Sequence, residues 1–305
     1  MVIQIPKETS PRPFLKWAGG KSKLIQQYIP YFPKNYQNYY EPFLGGGAVF
    51  FYLQPTQAIL TDINAELINT YCCVRDNVDE LIALLKEHKK GHNRDYYYSV
   101  RNNCGGTNLE KAARLIYLNK TCFNGLYRVN SQGNFNVPLG RYNNPNICPE
   151  NLLRLASKAL SQVKIQQADF TQVLNRANSS DDFVFFDPPY HPISDTSYFT
   201  AYSQNCFSKK DQELLRDTCA ELASRGVKVM VCNSDSEFIK KIYTDIKFET
   251  HTIKAARSIN SNIKNRGIID ELLITSFDNK EFRSQNSEIR MNAVRLASES
   301  MNDIM

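Results

Sequence analysis

The feature that most constrains the fold is a run of four large apolar residues, Phe183 to Phe186, followed at once by Asp187-Pro188-Pro189-Tyr190. Such a run bounded by turn residues is typical of a fully buried central strand. The prolines cannot continue a strand, because φ is fixed and there is no N–H to donate. The motif therefore brings a carboxylate, free carbonyls and an aromatic ring to the carboxyl edge of a sheet, where α/β sheets bind ligands. These groups suit a planar ring with an amino group. The alternative is a strand ending in a proline turn with a capping Asp.

Composition is that of an ordinary globular protein. The 305 residues are 42% hydrophobic and 22% charged, enough for one large or two modest domains. No apolar run approaches the roughly 20 residues that cross a bilayer, and the polar start predicts no signal peptide. We therefore expect no membrane partner and a cytoplasmic location. The eight cysteines form no Cys-x-x-Cys pair and the four histidines lack zinc spacing, so reduced thiols and no metal are expected.

Positive charge is concentrated in one segment of the chain. Residues 86–145 carry ten Lys or Arg and three acids, a net charge of +7, whereas the whole chain carries +6. The remainder is therefore close to neutral, at −1. A segment charged in this way suits a phosphate backbone, although a solvated basic face would have the same composition.

Apolar runs and turn residues predict strands that alternate with helices. The strand candidates are residues 39–44, 58–62, 163–167, 183–187, 227–232, 248–253 and 271–277. A helix is predicted at 209–224, where Ser208 and Asp211 resemble a capping box and Gly226 follows the end. This alternation predicts an α/β fold with a doubly wound, mainly parallel sheet.

Residues 65–154 break this rhythm and predict a mainly helical insertion between the second and third strands. Helical patterns occupy 78–89, 109–119 and 150–161, and an aromatic, Asn- and Gly-rich run occupies 121–145. The predicted organisation is a first part of the sheet domain at 10–64, the insertion at 65–154 and a second part at 155–277. Residues 278–305 are polar and predict a mobile tail.

Two glycine turns accompany the proline motif. The first, Phe-Leu-Lys-Trp-Ala-Gly-Gly-Lys at 14–21, places Trp17 and Lys21 beside a turn that a ligand can approach closely, but it is not a phosphate loop. The second, Glu-Pro-Phe-Leu-Gly-Gly-Gly at 41–47, is followed by Asp62, seventeen residues after Gly45. A glycine turn with an acid about twenty residues on indicates nucleoside binding, while Phe50 in place of a third glycine disfavours a dinucleotide. A purely structural turn is the alternative.

In this order, the three features resemble the Dam-type family of DNA adenine-N6 methyltransferases. The resemblance runs from about Phe14 to Phe277. It includes Asn-Gly-Leu-Tyr-Arg at 124–128, Phe-Asn-Val-Pro-Leu-Gly-Arg-Tyr at 135–142 and Arg-Ser-Ile-Asn-Ser-Asn at 257–262. It implies the S-adenosylmethionine-dependent methyltransferase fold, with the insertion as a target-recognition domain whose β-hairpin enters the major groove of double-stranded DNA. It also implies the palindrome GATC, and a cognate restriction endonuclease is a candidate partner.

The resemblance implies S-adenosylmethionine as the cofactor. Trp17 and Lys21 would border its methionine end and Asp62 its ribose, while Phe170 would stack on its adenine. The full cofactor-binding set would be Trp17, Lys21, Glu41, Phe43, Gly45, Asp62, Asp169, Phe170 and Asp187.

The catalytic residues would be Asp187, Pro188 and Tyr190. The Asp187 carboxylate and the Pro188 carbonyl would accept the two N–H groups of adenine N6 and direct its lone pair at the methyl donor, in line. Tyr190 would stack on the flipped-out base. This chemistry needs neither a metal nor a covalent enzyme intermediate.

The resemblance also implies a set of DNA-binding residues. Arg128, or else Arg141, would read guanine, although either arginine can instead contact phosphate. Phe123 would fill the stack that the flipped adenine leaves. The full set would be Lys16, Phe123, Asn124, Leu126, Arg128, Asn136, Pro138, Arg141 and Tyr142, with Leu126 and Pro138 near the thymine methyl.

Two other functions stay open at this point. The same Asp-Pro-Pro-Tyr motif can present an amino group of RNA, and a DNA-binding protein can lose catalysis. The basic insertion with its hairpin motifs favours duplex DNA over RNA. The presence of every expected site residue favours an enzyme over an inactive binder.

Overall fold

The computed structural model describes residues 10–193, 207–256 and 268–278. Within them, seven strands form one sheet in the order β3-β2-β1-β4-β5-β7-β6. The strands are β1 Asn38–Glu41, β2 Gln57–Asp62, β3 Lys164–Gln167, β4 Asp182–Phe186, β5 Lys228–Ser234, β6 Glu249–Ala256 and β7 Ile268–Thr275. β7 is antiparallel to β5 and β6, and the other pairs are parallel. The predicted α/β fold with a mainly parallel sheet is confirmed.

The first strand is shorter than the sequence predicts. Its pairing with β2 ends at Glu41, whereas the prediction continued to residue 44. Pro42 has no N–H to donate to the ladder. The chain then enters the glycine turn, where Gly45 and Gly47 have positive φ angles. The Glu41 side chain consequently lies at the end of a strand instead of within it.

The central strand β4 is buried on both faces, as its apolar run predicts. Phe183 and Phe185 belong to the core on one side of the sheet, and Val184 and Phe186 to the core on the other. This alternation follows from the two-residue period of a strand. Burying each of these side chains stabilises the fold by about 1.5–3 kcal/mol.

Helices cover both faces of the sheet. The helices are α1 Ile25–Tyr28, α2 Ala48–Leu53, α3 Ala65–Asp76, α4 Val78–Gly91, α5 Arg94–Asn102, α6 Asn108–Thr121, α7 Glu150–Leu160, α8 Lys209–Ser224 and α9 Glu237–Thr244. Helices α3 to α7 lie between β2 and β3 in the chain. Apolar residues of α8 and α9 pack on the Val184 side of the sheet. The predicted capping box of α8, Ser208 with Asp211, is present.

An irregular hairpin connects α6 to α7. Two isolated antiparallel bridges hold it, Cys122 with Leu139 and Val129 with Phe135. We refer to residues 122–142 as the insertion hairpin. The Tyr97 hydroxyl of α5 donates a hydrogen bond to the Val137 carbonyl, 2.9 Å away, and so ties the hairpin to the helices. Because the pairing is not a continuous ladder, packing against the helices holds much of its shape.

Some predictions fall outside the described residues. These are the 257–262 segment and, apart from Asp278, the predicted tail. In the described parts of the chain, no helix combines the length and apolar character needed to cross a membrane.

Candidate active site

A cleft of about 1840 Å³ opens at the carboxyl edge of the parallel strands. It lies where the strand order reverses between β1 and β4, the position at which open α/β sheets bind ligands. The residues that the sequence assigned to catalysis and to the cofactor all line it: Trp17, Lys21, Glu41, Phe43, Gly45, Asp62, Asp169, Phe170, Asp187, Pro188 and Tyr190. Motifs far apart in the sequence thus meet in one cavity.

Asp187 forms an ion pair with Lys21 at the floor of the cleft. Lys21 Nζ lies 2.8 Å from Asp187 Oδ1 and donates a second bond to the Gly19 carbonyl at 2.6 Å. Burial raises the pKa of Asp187, and the Lys21 ammonium opposes that rise. Burial alone would lower the pKa of Lys21, but the Asp187 carboxylate and its neighbours raise it. Lys21 is therefore charged, and it orients one oxygen of Asp187.

Two further acceptors of the proline motif are not paired within the described residues. No donor from the described residues reaches Asp187 Oδ2 or the Pro188 carbonyl, whereas the Pro189 carbonyl accepts a bond from Gln212. Pairing of β4 with β5 ends at Phe186, which leaves the motif outside the ladder. The cleft can thus offer both acceptors to a ligand.

Glu41 is a buried carboxylic acid at the end of β1. Its Oε2 accepts bonds from the Tyr39 hydroxyl at 2.7 Å and from the Phe50 amide at 3.2 Å. Burial raises the pKa of Glu41 to about 8, and the nearby Asp187 charge adds to this effect. The Tyr39 hydrogen bond works in the opposite direction. A cationic group that enters the cleft would favour ionisation of this carboxyl group.

The glycine turn is crowded by aromatic side chains. A Cβ on Gly45 would lie 2.9 Å from Trp17 Cδ1, and one on Gly47 would lie 2.9 Å from the Tyr71 hydroxyl. Both glycines also have positive φ angles, of 47° and 64°. The Gly45 amide donates to Asp62 Oδ2 at 3.0 Å, which holds the acid of β2 against the turn.

An aromatic wall closes one side of the cleft. Phe43 and Phe170 are stacked with ring centroids 5.3 Å apart, and Phe207 lies 5.7 Å from each of them. Asp169 accepts bonds from the Thr171 amide and hydroxyl and so caps the short helix that begins at Phe170. Phe207 was not among the predicted residues, since no motif surrounds it.

Tyr190 is held by a residue that the sequence did not single out. Its hydroxyl donates to Glu271 Oε2 at 2.8 Å, and Lys21 Nζ lies 4.7 Å from its ring centroid. Burial raises the pKa of Tyr190 well above its usual value, so the hydroxyl stays protonated. Glu271 begins the predicted strand 271–277, and nothing local marks it as a site residue.

Lys16 connects the cleft to the insertion hairpin. Its Nζ donates to the Tyr142 hydroxyl at 3.2 Å and lies 4.6 Å from the centre of that ring. The buried Asn119 side chain accepts from the Lys16 amide at 2.8 Å and donates to the Lys16 carbonyl at 2.7 Å and the Gly125 carbonyl at 3.0 Å. Asn119 was not among the predicted site residues, because the sequence of a helix does not show which groups a polar side chain bonds to.

The other predicted DNA-binding residues lie on the hairpin, away from the cleft lining. Arg128 is exposed and donates through Nε to Asn136 Oδ1 at 2.7 Å. Phe123 is 49% exposed, a large exposure for a phenylalanine. The remaining members of the predicted set are Asn124, Leu126, Pro138 and Arg141, and Asn124 has a left-handed φ of 55°. The hairpin presents these groups without burying them.

A match to a family profile identifies the class of protein to which this chain belongs. The profile of the D12 class N6 adenine-specific DNA methyltransferases matches residues 17–259, most of the chain. This chain belongs to that class. The resemblance predicted from the sequence is confirmed. A D12 methyltransferase transfers a methyl group to adenine N6 in DNA, with S-adenosylmethionine as the methyl donor.

Several relatives of this D12 methyltransferase match along nearly their whole length. A type II methyltransferase, M1.LlaDCHI of Lactococcus lactis subsp. cremoris, is 42% identical over 276 residues, 88% of this chain and 96% of the relative. The type II methyltransferase M.MjaIII of Methanocaldococcus jannaschii is 40% identical over 87% of this chain and 99% of its own. The DNA adenine methylase of Escherichia coli (strain K12) is 35% identical over 86% and 94%.

Proposed function

We propose that this enzyme methylates the adenine of GATC in double-stranded DNA, by direct in-line transfer to a base flipped out of the helix. One observation carries the proposal. The Asp187–Tyr190 motif and the residues assigned to the cofactor line a single cleft, and Lys16 on that cleft bonds to Tyr142 of the insertion hairpin. We assign residues 10–64 and 155–277 to the catalytic domain, 65–154 to target recognition and 278–305 to the tail.

The cleft fits S-adenosylmethionine by the chemistry of its side chains. When bound, the cofactor supplies a methyl group on a positively charged sulfonium. Asp62, held against the glycine turn, would accept bonds from ribose hydroxyls, and Phe170 would stack on the adenine. Trp17 and Lys21 would border the methionine end. Absence of side chains at Gly45 and Gly47 lets Trp17 and Tyr71 pack directly against the turn that holds Asp62.

Asp187 and Pro188 would prepare the target nitrogen. The amino group of adenine is a weak nucleophile, because its lone pair is delocalised into the ring. Acceptance of its two N–H groups by Asp187 and the Pro188 carbonyl would favour a pyramidal nitrogen with its lone pair aimed at the methyl donor. Holding the reacting groups in line can contribute about 7 kcal/mol or more. Asp187 need not be a strong base, because the proton becomes acidic once nitrogen carries the methyl group.

Tyr190 would receive the extruded base. Turning a base out of a duplex costs a few kcal/mol, and stacking on an aromatic ring offsets part of that cost. The Tyr190 ring lines the cleft next to Asp187 and is held at its hydroxyl by Glu271. Phe123, exposed on the insertion hairpin, would fill the space that the adenine leaves in the stack.

The insertion hairpin would read the sequence around the adenine. Arg128 is the candidate for a bidentate contact with guanine O6 and N7, and its bond to Asn136 preorganises the guanidinium. Arg141 is the second candidate, and Lys16 would add a base or phosphate contact. Leu126 and Pro138 would touch the thymine methyl. The competing role for either arginine is a phosphate contact, which carries no sequence information.

Charge and relatives support the proposed partners. The +7 segment at residues 86–145 contains the insertion hairpin and suits a duplex backbone. Relatives named type II methyltransferases support a cognate restriction endonuclease as a partner. A DNA substrate is in keeping with the cytoplasmic location expected from the sequence.

The proposal is tested by methyl transfer from labelled S-adenosylmethionine to two matched duplexes. One carries GATC and the other carries the same bases scrambled. Label on the GATC duplex alone, located at adenine N6, is the expected result. Label on both would keep the chemistry and remove the hairpin assignment. Label on neither would remove GATC as the target and direct the assay to other DNA sites and then to RNA.

A further inference from the structure

Glu271 lies on β7 at the same edge of the sheet as the Asp187 motif. It is in register with Ser234, the last residue of β5, and with Ile253 of β6. Since β7 runs antiparallel to β5, the beginning of β7 meets the carboxyl end of β5. The Glu271 side chain lines the cleft, and its Oε2 accepts the Tyr190 hydroxyl at 2.8 Å.

We propose that Glu271 is a positioning residue for methyl transfer, whose carboxylate fixes the Tyr190 ring that stacks on the target adenine. The inference rests on the proposed function, in which Tyr190 supplies the stacking surface. Glu271 would not touch the base. It would act on the base through the hydroxyl of Tyr190, and its charge also raises the pKa of the neighbouring Lys21 and Asp187.

The Tyr190 ring needs such a support because of where it lies. It follows two prolines beyond the end of β4, so no ladder hydrogen bond fixes its backbone. Its side chain has two rotatable bonds, and the hydroxyl is the point farthest from the backbone. A bond from that hydroxyl to a strand residue ties the ring to the sheet. Lys21, 4.7 Å from the ring centroid, contacts it as well.

The electrostatic setting makes the bond from Tyr190 to Glu271 a strong one. Burial keeps the Tyr190 hydroxyl protonated, and a carboxylate acceptor makes the hydrogen bond roughly twice as strong as a neutral one. The neighbouring acid, Asp270, has a different partner, since it lies 2.7 Å from Lys254 across the β6–β7 pair. Asp270 therefore provides a matched control on the same strand.

A double-variant cycle tests the role of this bond. Tyr190→Phe removes the donor and keeps the ring, Glu271→Leu removes the acceptor, and Glu271→Gln keeps a neutral acceptor. Methylation is measured in a single turnover, on whichever duplex the wild-type enzyme methylates. Cofactor affinity is measured by titration, and base placement by the fluorescence of 2-aminopurine at the target adenine. Asp270→Asn is the control.

We expect Tyr190→Phe and Glu271→Leu each to slow methyl transfer about tenfold, the effect of one hydrogen bond to a charged group. The double variant should be no slower than either single one, and Glu271→Gln should recover most of the rate. The affinity for the cofactor should stay within about twofold of the wild-type value, a much smaller change than the tenfold loss expected for the methyl-transfer rate. The 2-aminopurine signal should rise in Glu271→Leu, because the base stacks less well. Asp270→Asn should behave as wild type.

Other outcomes would overturn the inference. The inference fails if Glu271→Leu has the wild-type rate, if the losses of rate multiply in the double variant, or if only cofactor affinity is lost. If Glu271→Leu does not fold, Glu271→Gln provides the test. Its smaller loss of methyl-transfer rate must disappear when Tyr190→Phe is also present. Failure of the wild-type enzyme on GATC would instead count against the proposed function, and the cycle would proceed on the duplex that is methylated.

Discussion

Replacing Asn119 by alanine should destabilise the protein strongly, although the side chain touches no proposed ligand. Asn119 is 1% exposed and makes three hydrogen bonds to the backbone, two with Lys16 and one with Gly125. Each bond contributes a net of about 1 kcal/mol, and the buried Gly125 carbonyl would be left without its donor. We expect the free energy of unfolding to fall by about 3 kcal/mol, a large share of the roughly 5–15 kcal/mol typical of a domain.

The measurement is urea denaturation of wild type, Asn119→Ala and a matched control. Asn175→Ala is suitable, because Asn175 is exposed and its side chain donates a single bond, to Gln172. It should lose less than about 0.5 kcal/mol. A value for Asn119→Ala within about 1 kcal/mol of wild type would show that water replaces the amide, and the proposed tie would be refuted.

The same variant should also change recognition. Lys16 lies on the cleft and Gly125 belongs to the insertion hairpin, so Asn119 sets the distance between them. Asn119→Asp is a sharper probe, because it keeps the acceptor for the Lys16 amide and puts an oxygen against two carbonyls. It should weaken discrimination between GATC and single-base variants at temperatures where the protein is folded. Unchanged discrimination would confine Asn119 to stability.

Three further predictions concern the site. Arg128→Ala should relax discrimination at one base position by about 1–3 kcal/mol, measured by methylation of single-base variants of GATC, while an equal loss on all sequences would indicate a phosphate contact. Asp187→Ala should abolish methyl transfer and leave DNA binding largely intact in a gel-shift assay; normal turnover would remove the assigned mechanism. Burial raises the pKa of Glu41 from its ordinary value of 4.5 to about 8, so stability falls as pH rises from about 4.5 and the loss is complete above about 8. Denaturation at pH 5 and 9 should therefore show that the free energy of unfolding of Glu41→Gln rises relative to wild type as pH rises. The same difference at both pH values would contradict this.

The strands and the cleft could be predicted because their signals are local or follow from sheet topology. The apolar run before Asp187 marks a strand by its length, and the two prolines mark its end. Asp62 ends one parallel strand and Asp187 directly follows another. The carboxyl ends of parallel strands meet at one edge of the sheet. No knowledge of side-chain packing is needed for that step. The error at residues 42–44 arose because an aromatic, apolar stretch continued past Pro42.

The partners of polar side chains could not be predicted. Glu271 lies 81 residues from Tyr190, and Asn119 lies 103 residues from Lys16. Each pair is set by how β7 and α6 pack, and a Glu in a strand or an Asn in a helix has the same local pattern whatever it contacts. Cofactor motifs are recognisable because a ligand constrains several residues at once, whereas a single supporting contact leaves no spacing to detect.

The insertion hairpin and the cleft share a side-chain contact that limits how either can move. Tyr127, next to Arg128, stacks on Trp17 with ring centroids 5.1 Å apart and donates to Glu66 at 2.9 Å. Trp17 in turn packs so close to Gly45 that a Cβ there would collide with it. A hairpin displacement that carries Tyr127 must therefore move Trp17 or give up a stack of about 0.5–1.5 kcal/mol beyond its buried area. Since Arg128 adjoins Tyr127 and Trp17 borders the cleft, we expect the proposed base reading by Arg128 to depend on the shape of the proposed cofactor site.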